Sequence, residues 1–314
     1  MQSRFVVLGT GGTIAGTASD TADHLGYQAA QLGIETLLAD VPALHGWPVE
    51  AEQVAQIDSK DATHALWQAL AQRVSHHLAR PEVAGVIVTH GTDTLEESAY
   101  FLHRVLGAAD KPVVLTAAMR PATALMRDGP QNLVDAFVLA ATPGARGVLA
   151  VMAGTVHAGA EVRKQHSYRL DTLASGDVGP LAYVEAGRVR RLRDWPQGQA
   201  LGLAAVESPV DGWPRVDVVL SHAGADGRIV RALLAAGVDG LVAAATGNGT
   251  LHAALDATLQ EAAAQGVAVL VASRCAQGGV IAQPHQRFET ADLLTPVAAR
   301  VELVLRLLEK RQAG

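Results

Sequence analysis

Two stretches of this 314-residue chain end a β-rich apolar run in glycines and hydroxyls: "VVLGTGGTIAG" at 6–16 and "GVIVTHGTDTLEE" at 85–97. Each could present a threonine, Thr13 or Thr92, at the carboxyl end of a strand, where α/β proteins place their ligands. The second adds the carboxylate of Asp93. A dinucleotide fingerprint counted from Gly9 and Gly11 requires glycine where Ile14 stands, and a P-loop requires a lysine, yet none occurs before Lys60. Neither phosphate cradle fits, so the hydroxyl is the feature to explain. Small hydroxyl residues also satisfy backbone groups in tight turns, and for Thr10 and Thr13 the first loop alone leaves that role open. Two such strand ends make coincidence less attractive.

The elements that must position these residues follow from pattern. Short β-branched runs near 4–8, 84–89, 112–116 and 147–152 alternate with longer amphipathic stretches, as in parallel strands joined by helical crossovers. Residues 61–79 set Ala62, Leu66, Leu70, Val74 and Leu78 on one helical stripe that covers a sheet face. After "HGTDT" the run Thr94-Leu95-Glu96-Glu97 predicts a capping box, with Thr94 accepting from the amide of Glu97. Thr92 and Asp93 then sit at a helix N-terminus. A further helix is expected from Pro130, preceded by Asp128 and Gly129, with Leu133, Phe137 and Val138 inward. The proline-bearing, aperiodic segment 193–215 reads as a linker. Beyond it come strands near 216–220, 239–245 and 267–272 and helices near 227–236, 251–264 and 296–309. The fold class is α/β: a larger N-terminal domain, 1–192, with a mainly parallel sheet flanked by helices, and a smaller C-terminal α/β domain, 216–314.

Composition narrows the function. Apolar residues make up 49% of the chain, enough for substantial cores, and a net charge of -6 leaves no basic excess for a nucleic-acid backbone. The single cysteine, Cys275, excludes an intrachain disulfide and a thiolate-cluster metal site, and fits a reducing compartment. The N-terminus runs straight into "FVVLGT" without a signal-like segment, and no apolar stretch approaches the roughly 20 residues of a membrane span. A cytoplasmic protein with neither membrane nor nucleic acid as partner is expected.

"LGTGGTIAG" around Thr13 and "GVIVTHGTDTL" around Thr92 resemble the two signature motifs of bacterial-type L-asparaginases, which release ammonia from asparagine and, in some members, glutamine. The similarity continues in "IDSKD" at 57–61, "KPVVLTAAMRP" at 111–121, "DGPQNL" at 128–133, "GVLAVMAGTV" at 147–156, the lysine of "VRKQHS" and "ATGNGT" at 245–250. It runs to about residue 275. The resemblance implies a threonine amidohydrolase that needs no metal or cofactor. Thr13 would attack the side-chain carbonyl and become acylated, with Tyr27 as proton acceptor or relay, and Thr92, Asp93 and Lys164 would form a second polar group. Unperturbed tyrosine and lysine titrate near about 10, so accepting a proton at neutral pH calls for burial or charged neighbours. Asp93 would hold the substrate's α-ammonium and Ser59 its α-carboxylate, while backbone amides after Thr92 would face the oxyanion. Residues 14–31 would form a lid that carries Tyr27. A homotetramer built as a dimer of dimers is implied, with Asn248 reaching the substrate of the neighbouring subunit.

Two features depart from the family pattern. Lys60 stands where many members have a substrate-holding glutamine, and its charge would disfavour an α-ammonium nearby unless it turns outward or pairs with Asp93 or the substrate carboxylate. For the late glutamate that supports the tyrosine across a subunit interface, only Glu289 offers itself. Bland roles compete at other positions: helix capping for Ser59 and Asp61, a left-handed turn for Asn248. Alternatives to hydrolysis are an amino-acid sensor without turnover and an asparaginase-like amidotransferase subunit.

Overall fold

The computed structural model describes residues 3–313. They form two compact units, one running to Ala204 and one from Ala205.

The first unit contains strands β1 (Arg4–Gly11), β2 (Val49–Ile57), β3 (Val83–Thr89), β4 (Pro112–Thr116), β5 (Gly147–Met152), β6 (Thr155–Ala158), β7 (Arg163–Lys164), β8 (Leu173–Ala174), β9 (Ala182–Glu185) and β10 (Arg188–Arg191). Its helices are α1 (Ile34–Ala39), α2 (His64–Leu78), α3 (Leu95–Leu106) and α4 (Gly129–Ala140). Eight strands make one sheet in the order β10-β9-β6-β5-β4-β3-β1-β2, while β7 and β8 pair only with each other. From β2 to β5 every pair is parallel, and β6, β9 and β10 are added antiparallel. The parallel part is thus ordered 2-1-3-4-5. The chain leaves β1 for β2 on one side and returns to β3 on the other, which opens a crevice beyond the carboxyl ends of β1 and β3. Gly9 of β1 lies opposite Thr89 of β3, so the two motif turns leave the sheet side by side.

The continuous apolar run of β1 follows from burial on both faces. Phe5 and Val7 belong to a core shared with Ile34 and Leu37 of α1 and Leu133 and Phe137 of α4. Val6 and Leu8, which alternate with them, are also fully buried. Phe5, Trp47 and Phe137 meet edge to face, with ring centroids 5.3–5.9 Å apart. Trp67 of α2 stacks on Phe101 of α3 at 5.3 Å.

Several local expectations are corrected. The stripe at 61–79 holds for Leu66, Leu70 and Val74, which are buried, but the helix opens at His64 under a cap from the Thr63 side chain. Asp61 belongs to a short 3-10 turn, Ser59–Asp61. The capping box does not form: Thr94 makes no side-chain cap, and its hydroxyl instead donates to the Ser59 carbonyl at 2.8 Å. Helix α4 begins one residue early, at Gly129. The Asp128 carboxylate accepts from the amides of Met119 (2.9 Å) and Arg120 (3.0 Å) and pins the preceding loop.

The second unit holds strands β11 (Val216–Leu220), β12 (Gly240–Ala245), β13 (Ala268–Ser273) and β14 (Glu289–Thr290) in sequential parallel order. Helices α5 (Arg228–Ala235), α6 (Ala253–Ala264) and α7 (Pro296–Ala313) complete it. Its core gathers Val219, Leu241, Ala243, Leu255, Leu259 and Val271. Among the described residues, no helix is long and apolar enough to cross a membrane, and no group of three or more His, Cys, Asp or Glu side chains could hold a metal ion.

Candidate functional site

Missing side chains bring the turns together. Gly12, at φ 79°, takes a conformation that L-residues rarely adopt. A Cβ on it would lie 2.5 Å from both Cα and N of Gly91. A Cβ on Gly91 would in turn lie 2.4 Å from Ser59 Oγ. The ends of β1, β3 and β2, carrying Thr13, Thr92 and Ser59, therefore pack in backbone contact. The Gly12 amide donates to the Ile57 carbonyl at 2.9 Å and fastens the third turn to the first.

Thr13 lies in a buried 3-10 turn, Thr13–Ala15, immediately beyond β1. Its Oγ is 2.6 Å from the hydroxyl of Tyr27. The segment that carries Tyr27 is closed by a bridge between Thr17 and Gln28, and the ring lies over Gly16, where a Cβ would meet it at 2.8 Å. Three hydrogen bonds fasten this segment to the loop after β4: Ala18 N to Thr123 Oγ (2.8 Å), Ala122 N to Gly16 O (2.8 Å) and Leu125 N to Thr21 O (3.2 Å). Burial, then the charges of Asp58 and Asp93, hold the Tyr27 phenol above its ordinary range, opposed by the hydrogen bond from Thr13.

Across the glycine contact, Lys164 Nζ donates to Thr92 Oγ at 2.9 Å and to Asp93 Oδ1 at 2.6 Å. The Thr92 hydroxyl also points at Met119 Sδ, 3.5 Å away. Thr92 is buried, whereas 53% of the Asp93 side chain remains exposed. Asp93 can thus hold Lys164 and still face a ligand. Ser59 is buried against Gly91. Lys60 pairs with Asp61 and is largely exposed. Asp61 foremost, then Asp58 and Asp93, holds its ammonium above its ordinary range.

Asn248 stands in the second unit, exposed, in the turn between β12 and α6. Its carboxamide accepts from Ile281 N at 2.7 Å and donates to Ile281 O at 3.2 Å. The flanking Gly247 and Gly249 take the positive φ angles of the turn. Glu289 is paired with Arg306.

Other residues in this region carry no recognisable signal in sequence. His90, fully buried before Gly91, is held neutral by burial. Trp67 Nε1 donates to Ser98 Oγ (3.1 Å), and Ser98 lies 3.0 Å from His90 Nε2. The serine hydroxyl is then free to donate to Nε2, which leaves the histidine proton on Nδ1 to donate to Gly91 O at 2.8 Å. This buried chain ends on the carbonyl one residue before Thr92. Glu96 accepts the Lys164 amide on Oε2 at 2.7 Å. Burial, chiefly, lifts its carboxyl to about 7; Glu97 adds to the rise, while the Lys164 amide and the charges of Arg163 and Lys164 oppose it.

The arrangement can do acyl chemistry. It offers a buried hydroxyl beside a phenol, and a second hydroxyl bound to a lysine–carboxylate pair at the start of a helix. Comparison with known proteins agrees. Residues 4–197 match the family model described as "Asparaginase, N-terminal" and residues 215–313 match "Glutaminase/Asparaginase C-terminal domain". The chain is 37% identical to L-asparaginase 2 of Escherichia coli (strain K12), covering 97% of this chain and 89% of the relative. It is 35% identical to the glutaminase-asparaginase of Pseudomonas fluorescens biotype A, covering 98% and 86%. Among solved structures it superposes on one described as "Probable Cytoplasmic L-asparaginase from Campylobacter jejuni" with a TM-score of 0.90 at 34% identity, covering 99% of this chain and 98% of the other.

Proposed function

Because the chain belongs to the asparaginase family, we propose that it hydrolyses L-asparagine to L-aspartate and ammonia through an ester on Thr13, with secondary activity on glutamine or D-asparagine. The observation that carries this reading is Thr13 Oγ at 2.6 Å from Tyr27, beside a Thr92–Lys164–Asp93 cluster on the neighbouring strand end.

Thr13 Oγ attacks the side-chain carbonyl carbon and its proton passes to Tyr27. Burial and neighbouring carboxylates disfavour a phenolate, so Tyr27 accepts this proton as it releases its own toward the departing amine. The carbon–nitrogen bond breaks, ammonia leaves, and the acyl group remains on Thr13. Water then attacks the ester carbonyl from the side of Thr92 and Lys164; its proton passes to Tyr27 as Tyr27 gives its own to the Thr13 oxygen, the ester carbon–oxygen bond breaks, and aspartate departs with Thr13 restored. Backbone amides at the start of α3, at the positive end of the helix dipole, serve the oxyanion of each tetrahedral intermediate. Asp93 holds the α-ammonium through its exposed side, and Ser59 donates to the α-carboxylate.

The functional assembly is a homotetramer, with Asn248 completing the site of a neighbouring subunit, in a cytoplasmic enzyme. The name of the Campylobacter structure and the exposed free thiol of Cys275 support that compartment. Sizing chromatography tests the assembly: a fully active monomer removes the shared site. Asparagine and glutamine differ by one methylene, worth about 1–3 kcal/mol in a pocket, so both substrates belong in the assay. Ammonia release from L-asparagine, L-glutamine and D-asparagine, with Thr13→Ala as blank, tests the chemistry. Release that persists in Thr13→Ala removes that hydroxyl from the reaction.

A further inference from the structure

We infer that Glu96 is a positioning residue for the reaction, holding the main chain of Lys164 so that the lysine's Nζ meets Thr92. This inference rests on the role given above to Lys164.

Lys164 lies on β7, a two-residue strand that pairs only with β8 and belongs to neither large sheet. The ladder that fixes Thr13 and Thr92 therefore does not fix the lysine. The hairpin is held within itself by the Gln165 amide on the Thr172 carbonyl (2.8 Å) and by the Thr172 hydroxyl on the His166 carbonyl. Neither bond ties it to α3. Glu96 does so, because its Oε2 accepts the Lys164 amide at 2.7 Å.

Thr92, Asp93 and Glu96 lie within five consecutive positions leading into α3. All three grip one residue: Thr92 and Asp93 at Nζ, Glu96 at the main-chain nitrogen. Lys164 is thus referenced at both ends to the segment that carries Thr92. The flexible lysine stem between these points loses freedom that would otherwise blur the position of Nζ. Helix capping does not account for Glu96, whose carboxylate accepts from a distant amide. Burying a carboxyl is costly, and a neutral residue could fill the space without that cost. The charged groups that act on it are Glu97 on its own helix and Arg163 and Lys164 on β7.

The test compares wild type, Glu96→Gln, Glu96→Leu, Lys164→Ala and the double variant Glu96→Leu/Lys164→Ala in kcat and KM for L-asparagine, with melting temperature alongside. The glutamine keeps an acceptor oxygen where the leucine does not. Glu96→Leu is expected to lower kcat on the order of 10- to 100-fold, with a smaller change in KM, as for a displaced reacting group. Glu96→Gln should stay within roughly threefold of wild type, and the double variant should be no slower than Lys164→Ala. If Glu96→Leu does not fold, Glu96→Asp replaces it, because its carboxylate stops a methylene short, and the same loss of kcat is expected. The inference falls if the folded variant keeps wild-type kcat while Lys164→Ala is impaired, or if Glu96→Gln is as slow as Glu96→Leu. A fully active Lys164→Ala instead overturns the role of the lysine itself.

Discussion

Gly12 and Gly91 meet backbone against backbone, and a methyl group on either would have to displace the other's turn or Ser59. Gly12 also holds φ 79°, so a side chain there adds conformational strain to the steric conflict. Gly91 is outside the left-handed region, which makes it the cleaner probe. Gly91→Ala is expected to separate the turns of Thr13, Ser59 and Thr92 and to cut kcat/KM by about 100-fold, the scale of a 1 Å misplacement of reacting groups. Steady-state kinetics with L-asparagine checks it. Wild-type kcat/KM would mean the turns part without consequence for the chemistry.

Removing one oxygen isolates the proton relay. Tyr27→Phe keeps the ring that covers Gly16 and deletes the hydroxyl 2.6 Å from Thr13. The expected loss in kcat is about 10²- to 10⁴-fold, typical of a general acid–base group, with the melting temperature nearly unchanged because the ring packing stays. A phenylalanine variant within threefold of wild-type kcat would assign the proton to another acceptor.

The parallel strands were readable because burial on both faces leaves β1 and β3 as unbroken apolar runs, and their glycine-threonine ends fall at the crevice. Strand β2 was not, because it runs along the edge with Glu50 and Glu52 paired to Arg80 and Arg73 of α2 and the loop after it. The alternation there is short, with Val49 and Ala51 on the core and the two paired glutamates between and after them, and it lapses at Gln53. Thr94 and Glu96 illustrate the same limit within the site. Their spacing is that of a helix start, yet their side chains are used by Ser59 and Lys164, 35 residues before and 68 residues after them. Local pattern reports local bonds, and these partners are defined only once β2, α3 and β7 have come together.

Lys60 occupies a position adjoining the buried Ser59, but its ammonium is engaged by Asp61 and is mostly in solvent. An exposed pair of this kind contributes little to stability. Lys60→Gln is therefore expected to leave the melting temperature unchanged and to shift KM for L-asparagine by less than about twofold. A larger shift in KM would show that Lys60 leaves Asp61 and enters the pocket when substrate binds.

Glu96 also links the site to the pH dependence of stability. Its carboxyl is raised from 4.5 to about 7 in the fold, chiefly by burial. The folded state therefore binds this proton more tightly than the unfolded chain. The stabilisation is fully present below about pH 4.5 and is lost as pH rises through about 7. Across that window the loss is at most about 3 kcal/mol. Other carboxylates act in the opposite sense: Arg80 beside Glu50 lowers that group to about 2, so its contribution is present above about pH 4.5 and is lost as pH falls through about 2. The wild-type curve sums them all, and Glu96→Gln isolates one. The variant's melting temperature relative to wild type should rise between pH 5 and about pH 7 and level off by pH 8, by several degrees in all for a change of this size. Calorimetry at three pH values in that range measures it. A difference that stays flat would mean that Glu96 is already ionised at pH 5, with the Lys164 amide and the charges of Arg163 and Lys164 outweighing its burial.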